Sequence, residues 1–288
     1  MGYLFAILSS LFFTLYAIPK KIAKLKPRLY VLFMGLSCFI ISVIFYLLFG
    51  ADENLFNRWL IVSFIGGCIW FVASSLFFFL IDKIGVARSS EFKSLQGPIG
   101  SILILLRLSE FSSLNIYLLL LAIIFILLAA LTLVINEEEK TKIKIKYIGL
   151  AILSALLYGF NGFVRKAVTL QGFIYTQQIF SSLGILAMAF FYILLKEKKI
   201  NFIKNDGKKY LLASFSGLFY YFASYFMLLS YKNIEGSIAF TIIQLNSIWT
   251  CIIGIFVFKE INYKKYYKRL LLGLLFAFIG LILLIVSR

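Results

Sequence analysis

The chain has 288 residues, of which 62% are hydrophobic and 18% aromatic, with a formal net charge of +17 and a mean hydropathy of +0.99. This composition excludes a water-soluble domain, because too few polar residues remain to cover one of this size. The absence of histidine excludes imidazole metal sites, histidine-based triads and histidine proton relays. The three cysteines lie in apolar segments without metal-ligand spacing, so we expect no metal and no cofactor.

Apolar runs of about 20 residues, the length that crosses a bilayer as a helix, recur along the whole chain. Helices are required because backbone polar groups in lipid have to pair within their own segment. The first run is not followed by the small-residue cleavage site of a signal peptide, so we count it as a mature helix. The sequence therefore predicts an all-α integral membrane protein with ten transmembrane helices. These span residues 2–18, 29–50, 59–81, 85–106, 114–135, 147–168, 172–195, 210–231, 234–258 and 267–286.

Basic residues are concentrated in alternate loops. The loops after the odd-numbered segments, counted together with Arg88, Lys268 and Arg269 at the adjoining helix ends, hold 22 of the 29 lysine and arginine residues. By the positive-inside rule this face is cytoplasmic, which places both termini on the non-cytoplasmic side of the cytoplasmic (inner) membrane. The basic excess therefore sets orientation and contacts anionic lipids of the bilayer, and it does not indicate nucleic-acid binding.

The two halves of the chain, 1–139 and 140–288, match each other after a shift of about 145–150 residues. The matched positions are Lys20-Lys21 with Arg165-Lys166, Gly67 with Gly217, Trp70-Phe71 with Tyr220-Tyr221, Gln96 with Asn246, and Glu110 with Glu260. Five crossings are an odd number, so the second copy has to enter the membrane in the opposite orientation. The sequence thus predicts two inverted five-helix repeats, an architecture of secondary transporters.

Short motifs recur at the ends of corresponding helices. The second half carries SGLFYY at 216–221, YKNIE at 231–235 and FVFKE at 256–260, and the first half carries IPKK at 18–21 and IGVARS at 84–89. In this order they resemble the drug/metabolite transporter superfamily, with two EamA-like halves. The two motifs of the first half resemble its glucose/ribose porter branch. This resemblance implies solute transport through a central cavity lined by the first, third and fourth helix of each half.

Polar residues inside apolar segments are costly unless they face a cavity or a partner. In the fourth segment, Glu91 is a candidate substrate-binding residue that could hold a cationic group or a coupling proton. The alternative is that Arg88, Glu91 and Lys93 lie at the cytoplasmic interface, where Arg88 and Lys93 extend to water. Pro98 lacks a backbone donor and lies beside Gly97 and Gly100, so these three residues form a candidate hinge.

The ninth segment presents Thr241, Gln244 and Ser247 at helical spacing, as a column of hydrogen-bonding groups facing the bundle interior. They are candidate substrate-binding residues, and the alternative is hydrogen bonding between helices. Further candidates are polar or aromatic residues that could stack on a sugar or hold a cation, with ordinary core packing as the alternative. They are Trp70 and Ser74 in the third segment, Asn161 in the sixth, Gln177 in the seventh, and Tyr221, Ser224 and Tyr225 in the eighth.

The basic residues that end the first helix of each half allow two interpretations. Lys20, Lys21, Arg165 and Lys166 could clamp an anionic substrate or could anchor helix ends at lipid headgroups. Both interpretations stay open at the level of sequence.

These patterns together predict a secondary active transporter that moves a small polar solute by alternating access, with the halves rocking about a central site. The expected partners are a small-molecule substrate (sugar-like, amino-acid-like or an amine), the bilayer, and a coupling proton or cation. We expect a monomer or a weak homodimer. The alternative is a flippase or binder of lipid-linked intermediates. An enzyme is not predicted, because no catalytic motif, nucleotide-binding loop or metal-ligand spacing occurs.

Overall fold

The computed structural model describes residues 1–108, 115–133, 144–197, 207–259 and 263–287. Within these ranges the side chains of some helical residues, including Arg88, Glu91 and Ser247, lie outside the description. The described part of the chain is helical and contains no strand. The predicted all-α class is therefore confirmed.

Thirteen helices are present in the described ranges. They are α1 (Gly2–Leu15), α2 (Ile18–Ala23), α3 (Pro27–Phe49), α4 (Arg58–Ile84), α5 (Val86–Ser94), α6 (Gln96–Arg107), α7 (Ile116–Leu133), α8 (Ile145–Thr169), α9 (Tyr175–Glu197), α10 (Gly207–Asn233), α11 (Gly236–Ile243), α12 (Leu245–Phe256) and α13 (Tyr263–Val286).

Seven stretches of the described residues are long and apolar enough to cross a membrane. They are Gly2–Ala23, Pro27–Phe49, Arg58–Ile84, Ile145–Thr169, Tyr175–Leu195, Gly207–Asn233 and Gly236–Gly254. A chain with several such helices is a multi-pass membrane protein, as predicted. The predicted fourth, fifth and tenth crossings, which correspond to α5–α6, α7 and α13, are not among the seven, so the count of ten crossings stays a prediction.

The first predicted helix is interrupted at Tyr16 and Ala17, between α1 and α2. Pro19 is the second residue of α2 and has no N–H to donate to a carbonyl one turn earlier. At the break itself, the carbonyl of Tyr16 accepts hydrogen bonds from the hydroxyls of Ser216 and Tyr30. The chain thus breaks its first helix just before Pro19, and other helices satisfy the exposed backbone at the break.

The fourth and ninth predicted helices are also each broken once. The fourth breaks at Leu95, whose N–H donates to the Phe92 carbonyl at 3.2 Å, and the ninth breaks at Gln244, whose N–H donates to the Thr241 carbonyl at 3.1 Å. Both bonds span three residues, so each break is one tight turn between two helices. Pro98 in α6 explains the first break, because it leaves the Ser94 carbonyl without its helical donor. The break at Gln244 has no proline beside it.

Helices from the two halves of the chain pack against each other throughout the bundle. In the described part, α4 contacts α8 and α9, while α10 contacts α1 and α3. Further contacts join α3 to α9, α5 to α12, α6 to α8 and α7 to α13. This arrangement brings α4 and α10 to the centre, where buried residues of α3, α4, α8, α9 and α10 meet.

Glycines allow the closest of these contacts. A Cβ at Gly67 of α4 would lie within 3.0 Å of the Ser181 carbonyl of α9. A Cβ at Gly217 of α10 would lie within 3.0 Å of the Met34 carbonyl of α3. The two glycines that match in the sequence repeat thus have the same role, since each lets a third helix touch a second helix of the other half.

Candidate functional site

A central cavity lies where α1, α4, α5, α6, α8 and α10–α12 converge. Its volume is about 30 Å³, which leaves room for only a few water molecules. Ligand pockets commonly measure about 300–1,000 Å³, so a solute enters this one only if the helices move apart. Its lining residues are Phe13, Trp70, Lys93, Gln96, Tyr158, Asn161, Gly162, Arg165, Tyr220, Met227, Phe240, Ile243 and Asn246.

Aromatic rings form one wall of the central cavity. The ring centroids of Trp70 and Tyr220 are 4.3 Å apart. Tyr158 meets Trp70 edge to face at 6.0 Å, and Tyr16 lies 5.9 Å from Tyr220. Such rings offer apolar faces together with polar edges, which suits binding of a sugar ring.

Lys93 enters this wall as a buried cation, with 6% of its surface exposed. Its ammonium group donates to the Tyr16 hydroxyl at 2.8 Å. It also lies 4.6 Å from the ring centroid of Phe77 and 4.8 Å from those of Tyr16 and Tyr158. Electrostatic attraction to the ring faces therefore replaces much of its hydration.

Arg165 is the second buried cation of the cavity, with 3% of its surface exposed. Its guanidinium donates to Ser181 Oγ at 2.8 Å, to the Tyr220 hydroxyl at 3.2 Å and to Gln178 Oε1 at 3.4 Å. A further bond goes to the hydroxyl of Ser224. These side chains come from α9 and α10, so Arg165 connects three helices at the cavity wall.

Ser224 and Gln177, both predicted to bind substrate, support Arg165. The hydroxyl of Ser224 donates to Gln178 Oε1 at 2.7 Å, which completes a triangle with the guanidinium. Gln177 Nε2 donates to the Arg165 carbonyl at 3.0 Å, and Thr169 donates to Gln177 Oε1 at 3.2 Å. Neither Ser224 nor Gln177 lines the cavity, so in this conformation both act on it through Arg165.

Trp70 and Asn161 are the predicted substrate-binding residues that line the cavity. Asn161 Nδ2 donates to the Gly66 carbonyl at 2.7 Å, which ties α8 to α4. Its side-chain oxygen is the group left for a solute. The substrate-binding role of both residues stays a prediction.

Thr241 and Gln244 bind the other broken helix rather than the cavity. Gln96 Nε2 donates to Gln244 Oε1 at 2.9 Å, and the hydroxyls of Ser101 and Thr241 are 2.8 Å apart. These bonds join α6 to α11 beside both breaks. In this conformation Thr241 and Gln244 therefore make the helix-to-helix bonds that were the alternative interpretation, and their contact with substrate stays a prediction.

Ser74, Tyr221 and Tyr225 lie outside the cavity. Ser74 donates to the Phe71 carbonyl of its own helix at 3.1 Å. The rings of Tyr221 and Tyr225 stack at 6.1 Å, and the Tyr225 hydroxyl is 3.2 Å from that of Tyr175. The buried Tyr221 hydroxyl has no hydrogen-bond partner among the described residues. Here these residues pack between helices, and their role in binding remains a prediction.

The three hinge candidates lie at the crossing of α6, α8 and α11. A Cβ at Gly97 would lie within 3.0 Å of the Gln244 side chain, and one at Gly100 within 3.0 Å of the Phe240 ring. These glycines therefore allow close packing beside the break, and Pro98 accounts for the break itself. A hinge motion at this point stays a prediction. Glu91 and Ser247, the remaining candidates, fall on side chains outside the description.

The interpretation that basic residues anchor helix ends at lipid headgroups is wrong for three of the four residues Lys20, Lys21, Arg165 and Lys166. Lys20 is fully buried, and Arg165 and Lys166 are 3% and 4% exposed, so none of them reaches a lipid headgroup. Lys20 contacts Asp82 at 2.6 Å, and Lys166 donates to the Tyr231 carbonyl at 2.7 Å. The sequence shows a basic dipeptide at the end of the first helix of each half. Whether such a dipeptide is buried depends on the helices that pack around it.

The loop between α3 and α4 is bound to the start of α9. Glu53 Oε1 accepts from the N–H of Ile174 and Tyr175 at 3.0 and 3.2 Å, and Glu53 Oε2 accepts from the N–H and the hydroxyl of Thr176 at 2.9 and 2.7 Å. A carboxylate at a helix N-terminus accepts hydrogen bonds from the N–H groups that lack a helical acceptor, and the positive end of the helix dipole attracts it. Together with the Lys20–Asp82 and Lys166–Tyr231 contacts, this cap holds helices together away from the cavity.

No curated protein matches this chain. Several solved structures match it, among them one described only as "Crystal structure of protein", with a TM-score of 0.77 and 12% identity over 98% of this chain and 96% of that chain. At that identity the likeness shows the fold alone. The sequence model of a family described as "Sugar transport protein" matches residues 4–287. The chain therefore belongs to the sugar transport protein family.

Proposed function

We propose that this protein is a secondary active transporter that moves a sugar-like solute across the cytoplasmic membrane by alternating access. The observation that carries the proposal is the contact of Trp70 with Tyr220 in the central cavity. These residues occupy matching positions of the two halves. Two residues related by an approximate twofold axis touch only near that axis. Both halves therefore contribute matched side chains to one site, as in transporters built from repeats.

The pattern of helix contacts supports two inverted five-helix repeats. The first helix of each half packs on the third helix of the other, as α1 on α10 and α8 on α4. The second helix does the same, as α3 on α10 and α9 on α4. Exchanging the halves leaves this set of contacts unchanged. A twofold axis in the membrane plane, and hence ten crossings, accounts for it, in line with the superfamily that the motifs resemble.

The size of the cavity supports a transport cycle with an occluded conformation. A volume of about 30 Å³ is too small for a sugar. Contacts such as Lys20–Asp82 and Lys166–Tyr231 join the ends of first and third helices within each half. In inverted halves these contacts lie at opposite membrane faces. Breaking one set at a time would expose the site to one side only.

Uptake by the purified full chain in liposomes tests the proposal. The panel consists of pentoses and hexoses, with their acids and phosphates, measured by counterflow of labelled solute with and without a proton gradient. We expect uptake of at least one member, with Trp70→Ala reducing it about tenfold or more. Ile65→Ala is the matched control, because Ile65 lies on the same helix and is 52% exposed. No uptake of any panel member by well-folded protein would refute the function.

A second cavity offers a candidate site for the alternative function, a flippase or binder of lipid-linked intermediates. It lies between α3, α4 and α9, measures about 530 Å³ and shares no lining residue with the central cavity. Phe71, Phe79 and Tyr192 form apolar walls of this cavity, and two basic residues, Lys26 and Arg28, also line it. Apolar walls beside basic groups suit a lipid-linked phosphate. Lipid-linked sugars that compete for uptake in wild-type protein, but not in Lys26→Gln/Arg28→Gln, would favour this alternative.

A further inference from the structure

Two buried cations line one small cavity, which is the observation that needs an explanation. Lys93 comes from α5 and Arg165 from α8, and both are more than nine-tenths buried. Among the residues that the structure describes, no carboxylate lies within ion-pair distance of either group. A buried charge without an opposite charge is costly, and two like charges in one cavity add to that cost.

Other buried cations of this chain are compensated. The ammonium group of Lys20 lies 2.6 Å from the Asp82 carboxylate. That of Lys166 donates to the carbonyls of Tyr231 and Ile234 at 2.7 and 3.3 Å, at the C-terminal end of α10. The C-terminal end of a helix carries a partial negative charge. Lys20 thus pairs with a full negative charge and Lys166 with the partial negative charge of a helix C-terminus, at places where each lysine only holds helices together.

Neutral groups surround the two cations of the cavity. Arg165 donates to two serine hydroxyls, a tyrosine hydroxyl and an amide oxygen. Lys93 donates to the Tyr16 hydroxyl and otherwise faces aromatic rings. Hydroxyls and rings hold a cation in position but do not cancel its charge. Among the described residues the cavity therefore presents two basic groups and no carboxylate, a set that suits an anion.

From this contrast we infer that the solute carries a negative charge, as a carboxylate or phosphate on a sugar-like body. Arg165 and Lys93 bind the anionic group, and the rings of Trp70 and Tyr220 contact the sugar body. The guanidinium offers a planar pair of donors to an oxyanion, and the ammonium acts as a point charge beside it. This inference rests on the proposed function and names the substrate class of the same site.

Binding by the purified full chain in detergent tests the inference with three matched probes. Glucose is neutral, glucuronate adds a carboxylate, and glucose 6-phosphate adds a phosphate. We expect one of the anionic probes to bind at least about tenfold more tightly than glucose. Arg165→Gln and Lys93→Met should each lower that preference, measured as the ratio of the anionic-probe affinity to the glucose affinity of the same variant, by about tenfold or more.

Folding controls distinguish a loss of anion preference from a loss of the folded structure. Lys93→Met preserves the shape of the side chain and removes a buried charge from an aromatic cage, so we expect it to fold even where Arg165→Gln does not. Arg165→Lys keeps the charge and should retain part of the preference. Lys166→Gln removes a buried cation that does not line the cavity, so it should lower the melting temperature and leave the preference unchanged.

Several results would overturn the inference. One is glucose binding as tightly as both anionic probes, and another is a preference that survives the combined Lys93→Met/Arg165→Gln change. A response to soluble short-chain phosphatidylglycerol but to neither anionic sugar would assign the cations to a lipid headgroup instead. Transport of glucose without anion preference would leave the proposed function intact, whereas transport of no sugar, charged or neutral, would remove both.

Discussion

The ammonium group of Lys20 and the carboxylate of Asp82 are 2.6 Å apart, and the lysine is fully buried while the aspartate side chain is 38% exposed. The pair joins α2 to the end of α4. Removal of the carboxylate would strand a buried cation, which costs more than the pair itself contributes.

Asp82→Asn should therefore lower the free energy of unfolding by roughly 1–3 kcal/mol, a range reduced from that of fully buried pairs because Asp82 is partly exposed. Lys20→Met/Asp82→Asn should recover much of the loss, since no unpaired charge remains. Thermal denaturation of purified protein measures both. Lys83→Gln, an exposed neighbour, is the control. Equal melting temperatures for Asp82→Asn and Lys83→Gln would show that the pair contributes nothing.

The repeated glycines predict matched effects in the two halves. Gly67→Ala and Gly217→Ala each place a methyl group against backbone of a neighbouring helix, so we expect each to destabilise the protein by about 1–3 kcal/mol through overpacking. Gly149→Ala is the control, because a Cβ there meets nothing within 4 Å. Chemical or thermal denaturation in detergent measures the order of stability. A Gly149→Ala protein as unstable as the other two would contradict this explanation.

The cap that Glu53 places on α9 predicts a stability effect without a change in the cavity. Glu53→Gln removes the negative charge and part of the acceptor capacity, so the free energy of unfolding should fall by about 0.5–2 kcal/mol. Asp52→Asn tests the adjacent exposed carboxylate and should have little effect. Proteolysis or hydrogen exchange at residues 172–178 would locate the loss. Unchanged exchange there would mean that α9 needs no cap.

The orientation predicted from basic residues can be measured directly. A cysteine added after Met1, in a chain whose three native cysteines are replaced, should react with a membrane-impermeant maleimide in intact cells if the N-terminus is non-cytoplasmic. A cysteine at 204, in a loop predicted to be cytoplasmic, should react only after the membrane is opened. The reverse pattern would invert the topology while leaving the helix contacts unchanged.

The all-helical, membrane-spanning character of the protein followed from sequence alone. Its cause is local, because an apolar run of membrane length has one way to satisfy its backbone in lipid. The break at Pro19 is local for the same reason, since the missing donor is a property of the residue. The match of Gly67 with Gly217 could also be read from sequence, although the contact that requires a glycine there could not.

The break at Gln244 and the position of Arg165 depended on the tertiary structure. Nothing in the residues around Gln244 ends a helix, and the turn forms where Gln244 bonds to Gln96 of another helix. Arg165 resembled an interfacial anchor in sequence, yet the hydroxyls of α9 and α10 hold it inside the bundle.

Sequence by itself determined where the apolar helical segments lie and which positions of the two halves match each other. Only the tertiary structure decided that Lys93 and Arg165 line one cavity, and that Trp70 meets Tyr220 there. The physical reason is that helical periodicity fixes the direction of a side chain relative to its own axis, while the group it meets depends on which helices pack together.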